Sequence, residues 1–152
     1  MCALMHTNRE ARHEAFLFYT PSFMIPRSRI YISFPYDAVR LSDNILVNLP
    51  DAVLQVIRHM ILDVQDCEYF EYFNMDCVRG MGALETLDLL VQRGPQYYNS
   101  GARARFAERL VEDFEYTRRD HPGWGCPRLR IINKHTLEEL ALIEGGAGMY
   151  LR

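Results

Sequence analysis

Two short apolar runs, Met60-Ile61-Leu62-Asp63-Val64 and Leu87-Asp88-Leu89-Leu90-Val91, can be laid over one another at an offset of 27 residues. Each run has the length and aliphatic richness of a buried strand. Between them there is room for one helix, near residues 70–81, closed by Gly80 or Gly82. A connection of that length is a crossover rather than a hairpin turn, and crossovers join parallel strands. A period of this size falls among the leucine-rich repeats, whose strands line one edge while their helices pack behind. Two units do not make a solenoid, but they commit the chain to the α/β class with parallel pairing.

The remaining segments are read around that unit. Residues 7–19 have helical spacing, with Ala11, Ala15 and Phe18 on one stripe and Arg12, Phe16 and Tyr19 beside it, and Pro21 stops the helix. The alternating run 29–34 reads as a strand, with residues 37–41 as its partner in a β-ribbon. Leu49-Pro50-Asp51 opens a short helix to about residue 56, because proline is tolerated in a first turn and Asp51 favours the positive end of the helix dipole. A longer helix begins near Ser100 and carries Phe106, Leu110 and Phe114 on its inner face. Residues 129–133 supply a further strand. Thr136-Leu137-Glu138-Glu139 matches a capping box, so a last short helix is expected there, ended by Gly145-Gly146. Residues 144–152 read as a flexible tail. The expected fold is a single α/β domain over 1–152, with a small mixed sheet, parallel leucine-rich-repeat-like strand–helix units and a β-ribbon near the N-terminus. Its expected core is Ile61, Leu62, Leu87, Leu89, Ile131, Phe106, Leu110 and Phe114.

Composition narrows the function classes. With 49% apolar and 24% charged residues the chain belongs with ordinary globular domains. No run approaches eighteen apolar residues, so no membrane span is expected. The apolar patch of residues 2–5 is too short for a secretory signal, which points to an intracellular protein, cytoplasmic or nuclear. Cys2, Cys67, Cys77 and Cys126 are too irregularly spaced for a disulfide framework and read as free thiols. A net charge of −3 offers no general attraction to nucleic acid. Sixteen of the seventeen basic residues are arginine, and Lys134 is the only lysine.

Few residues combine into recognisable chemistry. His121 and Cys126 near Trp124, or Cys67 with Cys77, do not have metal-ligand spacing, so no metal is expected. Arg103, Arg105 and Arg109 could form a basic helix face, but Glu108, Glu112, Asp113 and Glu115 interrupt it and supply helical ion-pair partners, and no nucleic-acid partner is expected. No nucleophile elbow, zincin helix, Walker loop or kinase signature occurs, and neither a catalytic set nor a cofactor is assigned. The one candidate interaction edge is acidic and aromatic: Asp63, Asp66, Glu68, Tyr69 and Tyr72 follow the first repeat strand, where parallel α/β sheets place their ligand crevices.

The N-terminal stretch Leu4-Met5-His6-Thr7-Asn8-Arg9-Glu10-Ala11-Arg12-His13-Glu14-Ala15, followed by Tyr19, Pro21 and Phe23, resembles the second Glu-x-Arg box of the two-EXR family of uncharacterised filamentous-fungal proteins. The extended stretch with Tyr31 and then Asp37 is similar to the segment that follows that box. In the family an earlier leucine-proline helix carries the first box, and nothing in this sequence stands in for it. The resemblance therefore implies a C-terminal portion of a two-EXR-like domain. It implies no reaction, since the family has no settled activity. Glu10 and Arg12 are assigned a structural role; as i and i+2 in a helix they cannot face each other, so each serves a separate partner. A missing first helix would leave Leu4, Met5, Ala11, Ala15 and Phe18 uncovered and open to self-association. The functional expectation is a non-catalytic interaction module whose partner is another protein. The alternative is a small enzyme or ligand-binding domain using residues 63–76.

Overall fold

The offset of 27 residues becomes the register of the sheet. In a computed structural model of the chain, Met60 lies opposite Leu87, Leu62 opposite Leu89 and Val64 opposite Val91, in parallel strands. The structure describes residues 10, 13, 17, 19–25, 28–91 and 100–146, with the side chains of 20–29, 67 and 100–105 excepted. The chain, read above as one domain, divides into two compact units, Met1–Asp37 and Ala38–Arg152.

In the first unit Glu10, His13 and Leu17 are helical, Tyr19 at the end of the expected first helix is not, and the rest of that helix, Arg12 and the apolar patch included, lies outside the described residues. The β-ribbon is present, formed by β1 (Thr20–Ile25) antiparallel to β2 (Ser28–Ile32). Its composition differs from the expectation. Pro21 sits inside β1 instead of ending a helix, and residues 38–42 do not fold back on β2. β2 ends in a turn, in which the Asp37 carboxylate accepts the Ser33 N–H at 2.8 Å while the Tyr36 and Asp37 amides donate to the Ser33 carbonyl, and residues 38–42 pair with a later strand.

The second unit is an α/β fold with a five-stranded mixed sheet. Its strands are β3 (Ala38–Ser42), β4 (His59–Val64), β5 (Thr86–Val91), β6 (Arg128–Asn133) and β7 (Glu139–Ile143), in that spatial order. β3 to β6 are mutually parallel and β7 returns antiparallel to β6. The connections carry α1 (Asp43–Leu46), α2 (Asp51–Leu54), a helical segment α3 over residues 67–80, and α4 (Ser100–Asp120). Parallel strands taken in chain order, joined by crossovers of the usual right hand, put every connection on the same face. Accordingly α1 touches α3 and α3 touches α4.

Under those helices lies the core. Val39, Met60, Leu62, Val64, Leu87, Leu89, Val91, Leu129 and Ile131 point one way from the sheet and are buried. Phe70 of α3 and Phe114 of α4 stack at 6.0 Å between ring centroids, and Trp124 extends the stack at 6.2 Å. Successive strand residues point to opposite faces, so Ile61 cannot share the core with Leu62; Met60 takes the core position and Ile61 stands, half-buried, on the other face. Phe106 is likewise only half-buried, and Ala107 beside it is buried.

The middle of α3 is widened. Asp66 opens the segment, its carboxylate accepting the Glu68 amide at 2.8 Å. Further on, the Met75 N–H donates to the Phe70 carbonyl, five residues back, giving a π turn. One extra residue per turn brings both Asn74 and Met75 into the interior, and Asn74 is fully buried.

The expected last helix is a strand. Asn133 turns the chain, its side-chain oxygen accepting the amides of His135 and Thr136, and Thr136 accepts the Glu138 amide instead of capping a helix. Leu137 completes the reversal in the left-handed region at φ 58°, and β7 follows. At the start of the expected tail, Gly146 donates to the Cys126 carbonyl at 2.8 Å, and a Cβ on Gly145 would meet the Arg128 nitrogen at 2.9 Å. The rest of the expected tail, 147–152, lies outside the described residues.

Leu89→Ala should cost about 2–5 kcal/mol in urea unfolding, as buried large-to-small changes do. Ile61→Ala should cost about 1 kcal/mol or less, in line with partial burial. Equal losses at both positions would contradict the assignment of faces.

Candidate functional site

The helices of the second unit lie on one side of its sheet, and the other face carries a pattern of its own. Register places Arg40, Ile61, Asp88, Arg130 and Leu142 in one row across the strands, and Ser42, Asp63, Leu90, Ile132 and Glu139 in the next. Along β6, Lys134 continues the alternation beyond Ile132. Ionisable groups on this face are paired across strands. The Arg40 guanidinium donates through Nε and Nη2 to both oxygens of Asp63 at 3.2 and 3.1 Å. The Lys134 ammonium reaches the same carboxylate at 3.2 Å. Arg130 grips Asp88 in the same two-pronged way, with Nε at 2.8 Å and Nη2 closing the second bond. His59 Nδ1 and Thr86 Oγ1 meet at 2.9 Å in the row before.

The charges follow from this geometry. Burial works against the Asp63 charge, but the Arg40 and Lys134 cations outweigh it and hold the carboxyl below its ordinary range. The Asp88 hydrogen bond raises Arg130 above its ordinary value. The two acids lie deep, at 21% and 16% side-chain exposure, while Arg40, Arg130 and Lys134 stand above them at 55%, 43% and 34%. Arg40, Arg130 and Lys134 are thus exposed cationic donors on this face, with Ile61, Ile132 and Leu142 between them and the exposed Glu139 at its β7 side.

The acidic, aromatic edge expected from the sequence is distributed over different roles. Asp63 belongs to the sheet face just described. Asp66 caps α3 through the Glu68 and Tyr69 amides. Glu68 and Glu71 pair with Arg109 of α4 at 3.4 and 3.1 Å. The Tyr69 ring packs on Phe73 at 4.8 Å, and only Tyr72 projects freely, at 74% exposure. At the strand ends Asp43 is buried and accepts the Gln65 amide at 3.2 Å; burial raises its carboxyl above the ordinary range. Of the basic helix face, Arg118 pairs within the helix, with Glu115 at 3.2 Å, whereas the printed partners of Arg109 lie across on α3.

Asp113 of α4 is the group most displaced in acidity. Burial and then the neighbouring Glu71 charge push its carboxyl up to about 6, against the pull of Arg109 and with a further push from Glu112. Its Oδ2 is buried without a partner among the described residues. Burial also raises Cys77, and lifts the fully enclosed Cys126 thiol to about 11, which leaves it unreactive; both thiols are free. Among the described residues no group of three metal-ligating side chains converges, and no helix is long and apolar enough to cross a membrane.

Arg40, Asp88, Arg130 and Lys134 carry this site, and the sequence alone singled out none of them for it. Their signal was the strand alternation itself, extended to β3 and β6. No family model, curated protein or solved structure matches the chain.

The Asp113 environment has a measurable consequence. A carboxyl raised in the folded state binds its proton more tightly there than in the unfolded chain. Its contribution to stability is therefore intact below about pH 4 and is lost as pH rises through about 6. Asp113→Asn should stabilise the protein at pH 8 by about 1–2 kcal/mol more than at pH 4, read from chemical unfolding at both values. An identical effect at the two pH values would contradict the buried, proton-binding carboxyl.

Proposed function

We propose that the chain is a non-catalytic intracellular protein-interaction module, cytoplasmic or nuclear, and that the open face of its five-stranded sheet is the recognition surface. One observation carries this reading: four parallel strands are covered by helices on one side, while the other side presents cross-strand ion pairs and partly exposed aliphatic groups. Parallel sheets are ordinarily covered on both faces. Half-exposed ion pairs contribute little to stability, so folding alone gives no account of a face built from them. A rigid sheet that fixes guanidinium and ammonium groups at set spacings is instead suited to recognition, since little side-chain freedom is lost on binding.

The proposal extends to ancestry. The box around Glu10 and Arg12, the β-ribbon after it, and Tyr31 and Asp37 support a place beside the two-EXR proteins. The free thiols Cys77 and Cys126 support a reducing compartment. A second reading, ligand binding or catalysis near residues 63–76, draws on one observation, the proton-binding Asp113 beside Glu71.

Photo-crosslinking in cells separates the two. With a crosslinking residue at Leu142 on the open face, a defined protein partner should be trapped; at Tyr72 or Tyr116 on the helical side it should not. Trapping only from Tyr72 and Tyr116, or no protein from any position, would contradict the proposal.

A further inference from the structure

We infer that α3 encloses a bound water molecule, held between the Asn74 carboxamide and the carbonyl that the widened turn sets free. The inference concerns the interior of the second unit and does not rest on the recognition surface.

Asn74 is the polar member of an apolar stripe. Phe70 and Val78, four residues to either side of it, are as fully enclosed as Asn74 itself, at 0% exposure. α3 joins β4 to β5, and the residues those strands send toward the helices are Met60, Leu62, Val64, Leu87, Leu89 and Val91, aliphatic throughout. None of them can answer a carboxamide. Asn74 Oδ1 and Nδ2 are both without a hydrogen-bond partner among the described residues. An amide buried in that way is costly, and nearly all buried polar side chains have at least one partner.

The backbone supplies a further polar group within a turn of Asn74. In an α turn the Met75 N–H would donate to the Glu71 carbonyl, four residues back. Here it donates to Phe70, five residues back, and the Glu71 carbonyl gives up that donor. Helical side chains lean toward the N-terminal end of their helix, which carries the Asn74 amide back over the widened turn.

The chemistry of the occupant follows from these groups. A carboxamide is donor and acceptor at once, and a freed carbonyl is an acceptor. A charged ion would have to give up its hydration inside an apolar layer. An anion would in addition meet two carbonyl oxygens against a single donor group. Water donates twice, accepts as well, and is the smallest molecule that does; buried waters typically make about three such bonds.

The test uses the full chain. In a high-resolution crystal structure one ordered water, closed off from solvent, should lie within hydrogen-bond distance of the Asn74 carboxamide. In solution the Asn74 side-chain NH2 protons should show a direct nuclear Overhauser contact to a water that tumbles with the protein. Oxygen-17 relaxation dispersion, which counts such long-lived waters, should register one fewer for Asn74→Leu and the same number for the surface change Tyr72→Phe. If Asn74→Leu does not fold, the Overhauser contact in the unaltered chain decides alone. An Asn74 amide bonded directly to a protein group or turned to solvent, an enclosed amide with neither water density nor an Overhauser contact, or an unchanged count in a folded Asn74→Leu protein would each overturn the inference.

Discussion

The parallel pairing of Met60, Leu62 and Val64 with Leu87, Leu89 and Val91 is the contact on which the rest of the second unit depends. All six side chains are buried, and each removes an aliphatic group from water, worth about 1.5–3 kcal/mol apiece. A slip of one residue would turn either Ile61 and Asp63 or Asp88 and Leu90 toward the helices and bury a carboxylate without its arginine. The register is therefore strongly specified. β3 adds to it through Val39 opposite Met60, and β6 through Leu129 and Ile131 opposite Leu87 and Leu89.

Winding in chain order has a further consequence. Because every crossover returns on the same side, the core is a single layer between sheet and helices. The opposite face answers to other demands. Arg40 with Asp63 and Arg130 with Asp88 hold one another across strands, and the cations remain the more exposed partners. On the helical side the same kind of pairing links α3 to α4, through Glu68 and Glu71 with Arg109, while burial and the Glu71 charge raise the Asp113 carboxyl to about 6.

How much of this was legible depended on how local the signal was. The two runs at 60–64 and 87–91 repeat one texture, so the strand–helix–strand unit and even its register could be read from them. β3 contributes a run of only five residues and lies next to β2 in the chain, so local pairing looked equally good; its true partner, β4, is chosen by burial of Val39 against Met60. Thr136 to Glu139 carries the same letters as a helix cap, yet Asn133 had already reversed the chain three residues earlier. The candidate site was the least legible part. Its pairs join residues 23 and 42 positions apart, and nothing in the neighbourhood of Arg40 or Asp88 marks either one until the register of four strands is known. The acidic stretch after β4 stood out as a cluster because it is contiguous, but helical geometry divides it among a cap, an interhelical ion pair and an exposed tyrosine.

The central claim is that one sheet face is core and the other is open, and the methyl groups of alternate strand residues report on it directly. A soluble paramagnetic agent should broaden the methyl signals of Ile61, Ile132 and Leu142, while leaving those of Leu62, Leu89 and Ile131 nearly untouched. Comparable broadening of Ile61 and Leu62, or of Ile131 and Ile132, would contradict the two-faced sheet and with it the recognition surface built upon it.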